Sequence, residues 1–333
     1  MFKRFFLILI LLTIFAAGSA QPADPADYPT LTALEQAVIP VRDRLLLGRE
    51  LLGITEIAPP PTEPETYSLG ERRSFKALNT SVNQIFQFEA ELKGIGEHIY
   101  IWIDTRSDVT IENAQGLADI FDSKIYPETR DLWGVEASPG IDADTRVFGL
   151  FTIGLGSSVA AYYSSSNTYP SEVVADSNEH ELFIYDLGAA GEDIDAWMVQ
   201  STTAHEFQHM IRDNMNDVQD SWLNEGLSVF TQLYLVYDDG AWSATAYQDN
   251  PETQLNAWGE GNTGAHYGGA SMWVTYFYER YGLKALQTVS LTNLPSMTAF
   301  DHYLQAAGEP GADRLFADWV LANWWRDTDL AEG

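Results

Sequence analysis

Apolar and polar residues follow two different periods along this chain. Between Tyr67 and about Leu187 the apolar positions fall in short runs or at every second residue, as in "NQIFQFEAEL", "EHIYIWID", "RVFGLFTIGL", "SVAAYYSSS" and "HELFIYDL". Such runs, rich in β-branched and aromatic residues and bounded by turn formers, predict strands. One stretch among them, "NAQGLADIFDSKIYPETRDLWG", spaces its apolar residues as a helix does. From Asp193 onward helical spacing takes over. Helices are predicted over about Asp195–Asp213, Ser221–Tyr237 and Ala270–Tyr281, with a last one ending near "FADWVLANWW". Strands first and helices afterwards predict an α+β chain, with a β-rich subdomain over 66–190 and a mainly helical subdomain over 191–333.

Residues 1–65 stand apart from these two regions. Lys3 and Arg4 give a basic start, Phe5–Ala17 is apolar, and Gly18, Ser19 and Ala20 are small. This is the layout of a secretory signal peptide, with cleavage expected after Ala20. The apolar run is short of the ~20 residues that span a bilayer. The expected location is therefore secreted or periplasmic, with no stable membrane insertion after cleavage. Residues 21–65 read as a leader or pro-segment: Leu31–Gly53 has mostly helical spacing broken at Pro40, and "APPPTEPE" is a stiff linker.

The composition narrows the partners. A chain of 333 residues with 45% hydrophobic and 13% aromatic residues holds a sizeable core, which it must build without cysteines. The net charge is −30; loss of Lys3 and Arg4 with the leader makes it −30 − 2 = −32. Such a field repels phosphate backbones, so nucleic acid is not an expected partner, whereas cations are favoured. "GIDADTR" (Gly140–Arg146) is similar to half of a calcium loop but lacks the later bidentate acid. It reads as an Asp-rich turn, with calcium as a second candidate cofactor.

The chemistry concentrates in "TAHEFQHMIRDNMNDVQDSWLNEGLS", Thr203–Ser228. His205 and His209 are four residues apart, so on a helix they share one face, about 5–6 Å from each other. Two neutral imidazoles so placed suit one Zn²⁺. Glu206 is turned roughly 100° away. There it is badly placed to be a ligand and well placed to act as general base on a metal-polarised water. A catalytic zinc takes three protein ligands plus water. A third histidine after a glycine is not on offer, because Arg212 and Met215 stand at those offsets. Glu225 is the candidate instead, in the first turn of a second helix that Ser221 is expected to cap. Its plainer alternative role is that of an acid favouring a helix N-terminus.

His-Glu-x-x-His followed by "WLNEGLS" resembles the gluzincin metallopeptidases, the group of thermolysin and aminopeptidase N, and within it the hyicolysin-type secreted peptidases. The resemblance extends to "SNEHELFIYDL", "QLNAW" and "HYGGASMWVTYFYERYG". It implies a thermolysin-like active-site helix pair, one catalytic zinc on His205, His209 and Glu225, Glu206 as base, and a protein or peptide substrate. The chain departs from the thermolysin pattern four residues after Glu225, where Val229 replaces an expected Asp and leaves the partner of the metal histidines open. For the developing oxyanion the related aminopeptidases use a Tyr before a comparable helix. By offset His266 takes that place, and Tyr267 is its neighbour, so both are candidates. In gluzincins an edge strand pairs with substrate, a role the resemblance gives to "ELFIYDL". Glu179 and Glu181 raise an aminopeptidase reading, but the Gly-x-Met-Glu-Asn signature is absent. An endopeptidase is expected; a zinc aminopeptidase and a non-catalytic surface binding protein are the alternatives.

Overall fold

The computed structural model describes Thr30, Ala33 and residues 43–325, apart from positions 158, 217, 236, 238, 239, 260 and 262. The expected signal peptide (1–20) and residues 21–29, 31–32 and 34–42 of the expected leader lie outside the described residues. The chain divides after Leu47 into two compact units, and helix α1 (Arg44–Leu52) carries the chain across that point.

The second unit is an α+β body, as the sequence predicts. Its strands are β1 (Arg72–Asn79), β2 (Gln84–Ile95), β3 (Ile99–Asp104), β4 (Val147–Thr152), β5 (Ala161–Tyr163) and β6 (Leu182–Asp186). They form one sheet in the order β1-β2-β3-β4-β6-β5, with β3, β4 and β6 parallel and the other neighbours antiparallel. The two strongest apolar runs, β3 and β4, are buried at every residue. Strands covered on both faces read as continuous hydrophobic sequence, which is why they were plain in it. Along β3, Ile99, Ile101 and Ile103 face the helices, while Tyr100 and Trp102 join Tyr67, Phe75, Phe88 and Phe148 in an aromatic cluster on the opposite face.

Between β3 and β4 come α2 (Ile111–Ile120), a π turn (Phe121–Ile125) and α3 (Tyr126–Trp133). After β6 the chain is helical: α4 (Leu187–Ala190), α5 (Trp197–Met215), α6 (Ser221–Tyr234), α7 (Ala241–Asp249), α8 (Thr263–Leu291), α9 (Ser296–Ala306) and α10 (Ala312–Trp325). Three details differ from expectation. Asp220, not Ser221, is the residue at the N-cap of α6. The helix predicted from Ala270 begins seven residues earlier, at Thr263, and Gly282 breaks its path with φ 80°. And "ELFIYDL" is an interior strand, β6, lying between β4 and β5. The edge belongs to the three residues of β5.

Candidate active site

Helix α5 lies on the sheet through its apolar face. Phe207, Met210 and Ile211 are buried, and the Phe207 ring packs on Phe121, Tyr126 and Phe183 at centroid distances of 5.2, 5.5 and 6.2 Å. Truncating such a ring costs about 3–5 kcal/mol, so the face of α5 is firmly set. The other face then carries His205, Glu206 and His209 toward a cleft. A loop turns the chain back into α6, tied down where Asn216 Nδ2 donates to the carbonyls of Ser290 and Thr292, both at 2.9 Å. Arg212 Nε also donates to Gln219 Oε1 at 2.9 Å, across the same turn.

That hairpin delivers Glu225 to the two histidines. Its Oε2 lies 3.2 Å from His205 Nε2 and 3.4 Å from His209 Nε2, and the imidazole rings stand nearly perpendicular with centroids 4.8 Å apart. Among the described residues this is the cluster of three His, Asp or Glu groups with one ligand atom each, all within 4.8 Å of one another. Gly226, directly after Glu225, explains itself here: a Cβ on it would sit 3.0 Å from the Ala270 carbonyl oxygen. A larger residue would hold α6 away from α8.

The electrostatics fit a cation. Burial works against a charge on His209, but the carboxylates of Glu225 and Glu206 outweigh it and push the imidazole up to about 9. Burial likewise opposes the charge on Glu225, yet the two imidazoles hold its carboxyl well below the usual range. A proton at His209 therefore stands where a metal ion's positive charge would otherwise balance the acid. Two nitrogens and one carboxylate oxygen are the donor set of a catalytic zinc that keeps an open position.

The partners of the histidines are residues that the sequence reading missed. Gln232 Oε1 is 3.1 Å from His205 Nδ1, and its Nε2 donates to Ser201 Oγ at 2.8 Å. Ser228 Oγ lies 3.2 Å from His209 Nδ1 and donates to Gln208 Oε1. Glu225, Ser228 and Gln232 are spaced i, i+3, i+7 on α6, so one helix face supplies the acid and both supports. That spacing was the available signal. Val229, at the position where an acid was expected, instead lines the cleft.

Two lobes of cleft meet at the triad. One, of about 740 Å³, runs past Tyr163, Ser164–Ser166 and Asn167 toward Lys76. The other, of about 370 Å³, is walled by Thr202, Val229, Trp242 and Ser243. His205, Glu206, Tyr267, Val159 and Ala161 border both. Of the two oxyanion candidates, then, Tyr267 borders both lobes and His266 neither. The ring of His266 packs on Trp258 at 5.6 Å, and its buried Nδ1 has no hydrogen-bond partner. Burial, followed by Glu225 and Glu206, raises the Tyr267 phenol well above its ordinary value, so it keeps its proton to donate. Gly268 beside it admits the close passage of α7, since a Cβ there would meet the Ser243 carbonyl oxygen at 1.9 Å.

Glu179 and Glu181 lie away from this cleft. Glu179 Oε1 accepts from the Ser171 amide at 2.5 Å, and buried Glu181 accepts from the Ile141 amide at 3.1 Å. The Asp-rich turn is occupied by protein groups: Asp142 Oδ2 is 2.6 Å from His180 Nδ1, and Asp144 accepts from the Arg146 amide at 3.0 Å.

In sequence the chain is similar to a known peptidase. The chain is 26% identical over 181 residues to the neutral metalloprotease ShpI of Staphylococcus hyicus. The match takes in 50% of this chain and 41% of that protein, so the chain spans less than half the length of its relative. No protein-family model matches. The likeness supports a metal-dependent hydrolase in general. Among the described residues no helix is long and apolar enough to cross a membrane.

Proposed function

We propose that this protein is an exported zinc-dependent metallopeptidase that cuts within protein chains. The observation that carries the reading is the meeting of two cleft lobes at His205, Glu206 and Tyr267. A cleft open on both sides of the reacting centre accepts a chain that continues in both directions. An aminopeptidase needs an acid to close one end on the substrate's amino group, and Glu179 and Glu181 are engaged elsewhere.

In this reading His205, His209 and Glu225 hold one zinc ion, which when bound acts as a Lewis acid and lowers the pKa of water. Gln232 and Ser228 orient the two imidazoles. Glu206 takes the proton of the attacking water and passes it to the leaving amine. Tyr267 donates its hydroxyl proton to the oxygen that becomes negative. The substrate backbone pairs with β5 through the peptide groups of Ala161, which turn away from β6.

The test compares the wild type with Glu206→Gln on an unstructured protein such as casein. The variant is expected to keep about one zinc per chain and to lose hydrolysis. Cleavage at the wild-type rate by the variant would end this reading.

A further inference from the structure

Tyr163 makes two contacts with α5, and they are of different kinds. Its main-chain N–H donates to Glu206 Oε2 at 2.8 Å, and its phenol donates to Asp213 Oδ2, also at 2.8 Å. Glu206 and Asp213 are seven residues apart, so they share one side of the helix, roughly 10 Å apart along its axis. One residue of β5 therefore grips the motif helix at two points, and the first of them is the carboxylate assigned as general base. Strand register makes this possible. Tyr163 opposes Phe183 and Ala161 opposes Tyr185, while the Asp186 amide bonds the Ala160 carbonyl, so the Tyr163 N–H points off the sheet toward α5.

Strand β5 is three residues long, is half-buried throughout and, among the described residues, pairs with one neighbour. An anchor at its outer edge keeps the Tyr163 amide against the carboxylate of Glu206. The phenol is a dependable one: burial, followed by Asp213, raises it well above its ordinary value, so it stays a neutral donor. A hydroxyl-to-carboxylate bond is among the stronger hydrogen bonds, and this one is partly buried.

We propose that Tyr163 and Asp213 are positioning residues that fasten the cleft-edge strand to the motif helix, so that the Tyr163 amide fixes the carboxylate of Glu206 in place. The proposal rests on the hydrolytic role of Glu206 for its kinetic consequence, but not for its structural one. It also divides the edge strand into two functions: the Tyr163 N–H serves the base, while the outward groups of Ala161 remain for the substrate.

The experiment uses the full zinc-loaded protein and a fluorogenic unstructured peptide. Tyr163→Phe removes the phenolic oxygen, and Asp213→Ala removes its acceptor. Each is expected to lower kcat on the order of tenfold through a misplaced base, with KM within about twofold and zinc content unchanged. The double variant should be no slower than either single one, because both break the same bond. Asp213→Asn, which retains an acceptor oxygen, should recover most of the kcat lost in Asp213→Ala. A wild-type kcat in Tyr163→Phe, or losses that multiply in the double variant, would overturn the proposal. Amide hydrogen exchange supplies the readout that needs no turnover: the residue 163 amide should exchange faster in both single variants, and unchanged exchange would also overturn it. Should the wild type hydrolyse no peptide, the kinetic role assigned to Glu206 falls, and exchange still decides whether the fastening exists.

Discussion

The two walls of the cleft are built on different principles. The helical wall, α5 with α6 and α8, offers side chains: His205, Glu206 and His209 from the first, Glu225, Ser228 and Gln232 from the second, Tyr267 from the third. The sheet wall, β5, offers mainly peptide groups, and even Tyr163 meets Glu206 through its main-chain N–H. Side-chain chemistry needs particular residues at particular spacings and so leaves a motif. Peptide-group chemistry needs only a strand in the right place, which many sequences can provide.

If the walls divide the work in this way, substitutions on the helical side should have graded and separable effects. Removing the Tyr267 hydroxyl in Tyr267→Phe should cost the most, about a hundredfold in kcat with zinc retained, as for the loss of one oxyanion donor. His266→Gln should leave kcat close to wild type, since the ring packs on Trp258 outside the cleft. Equal losses in the two, measured by steady-state kinetics, would shift the oxyanion role away from Tyr267 alone.

A smaller effect is expected one step back from the metal. Gln232→Ala frees the imidazole of His205 and should weaken zinc binding by about 10–100-fold, read by competition with a chelating dye. Unchanged affinity would mean that the 3.1 Å contact with His205 does not orient it.

The smallest effect is a pH dependence of the metal-free protein. His209 is held at about 9, above its ordinary value of 6.5, by its facing acids. A raised histidine stabilises the fold fully below its unfolded pKa and loses that contribution as pH rises through the folded one. The melting temperature of chelator-treated protein should therefore fall by a few degrees between pH 6.5 and about 9.5, with a weaker trend once zinc is restored. A flat profile would separate Glu225 from His209 in the metal-free state.

How much of this was readable beforehand follows the same division. The interior strands announced themselves because β3 and β4 are covered on both faces and so are apolar throughout. The motif helix and the turn to Glu225 were legible from residue type and spacing. The cleft edge was misassigned: "ELFIYDL" is the more apolar run, and burial between two neighbours is what makes it so, whereas an edge facing a polar cleft can be as short as "AYY". Helix α7 was not predicted at all. Its sequence, "AWSATAYQD", has only Ser243 and Tyr247 buried, and it is held by the passage that Gly268 and Gly269 open in α8. That is a tertiary cause with no local periodicity to reveal it. Gln232 and Ser228 escaped notice because a hydroxyl or amide on an otherwise apolar helix is common, and only the facing histidines give it meaning.

The absent side chain at Gly226 has a further consequence. It lets α6 lie against Ala270, one turn beyond Tyr267 on α8. Glu225 and the phenol of Tyr267 thus hang from the two sides of a single helix contact. Their separation is one mechanical variable, set by the bulk of residue 226. A methyl group inserted there would act as a wedge, shifting the two groups relative to each other without touching either. In this molecule the geometry of the cleft is written partly in a hydrogen atom where two helices meet.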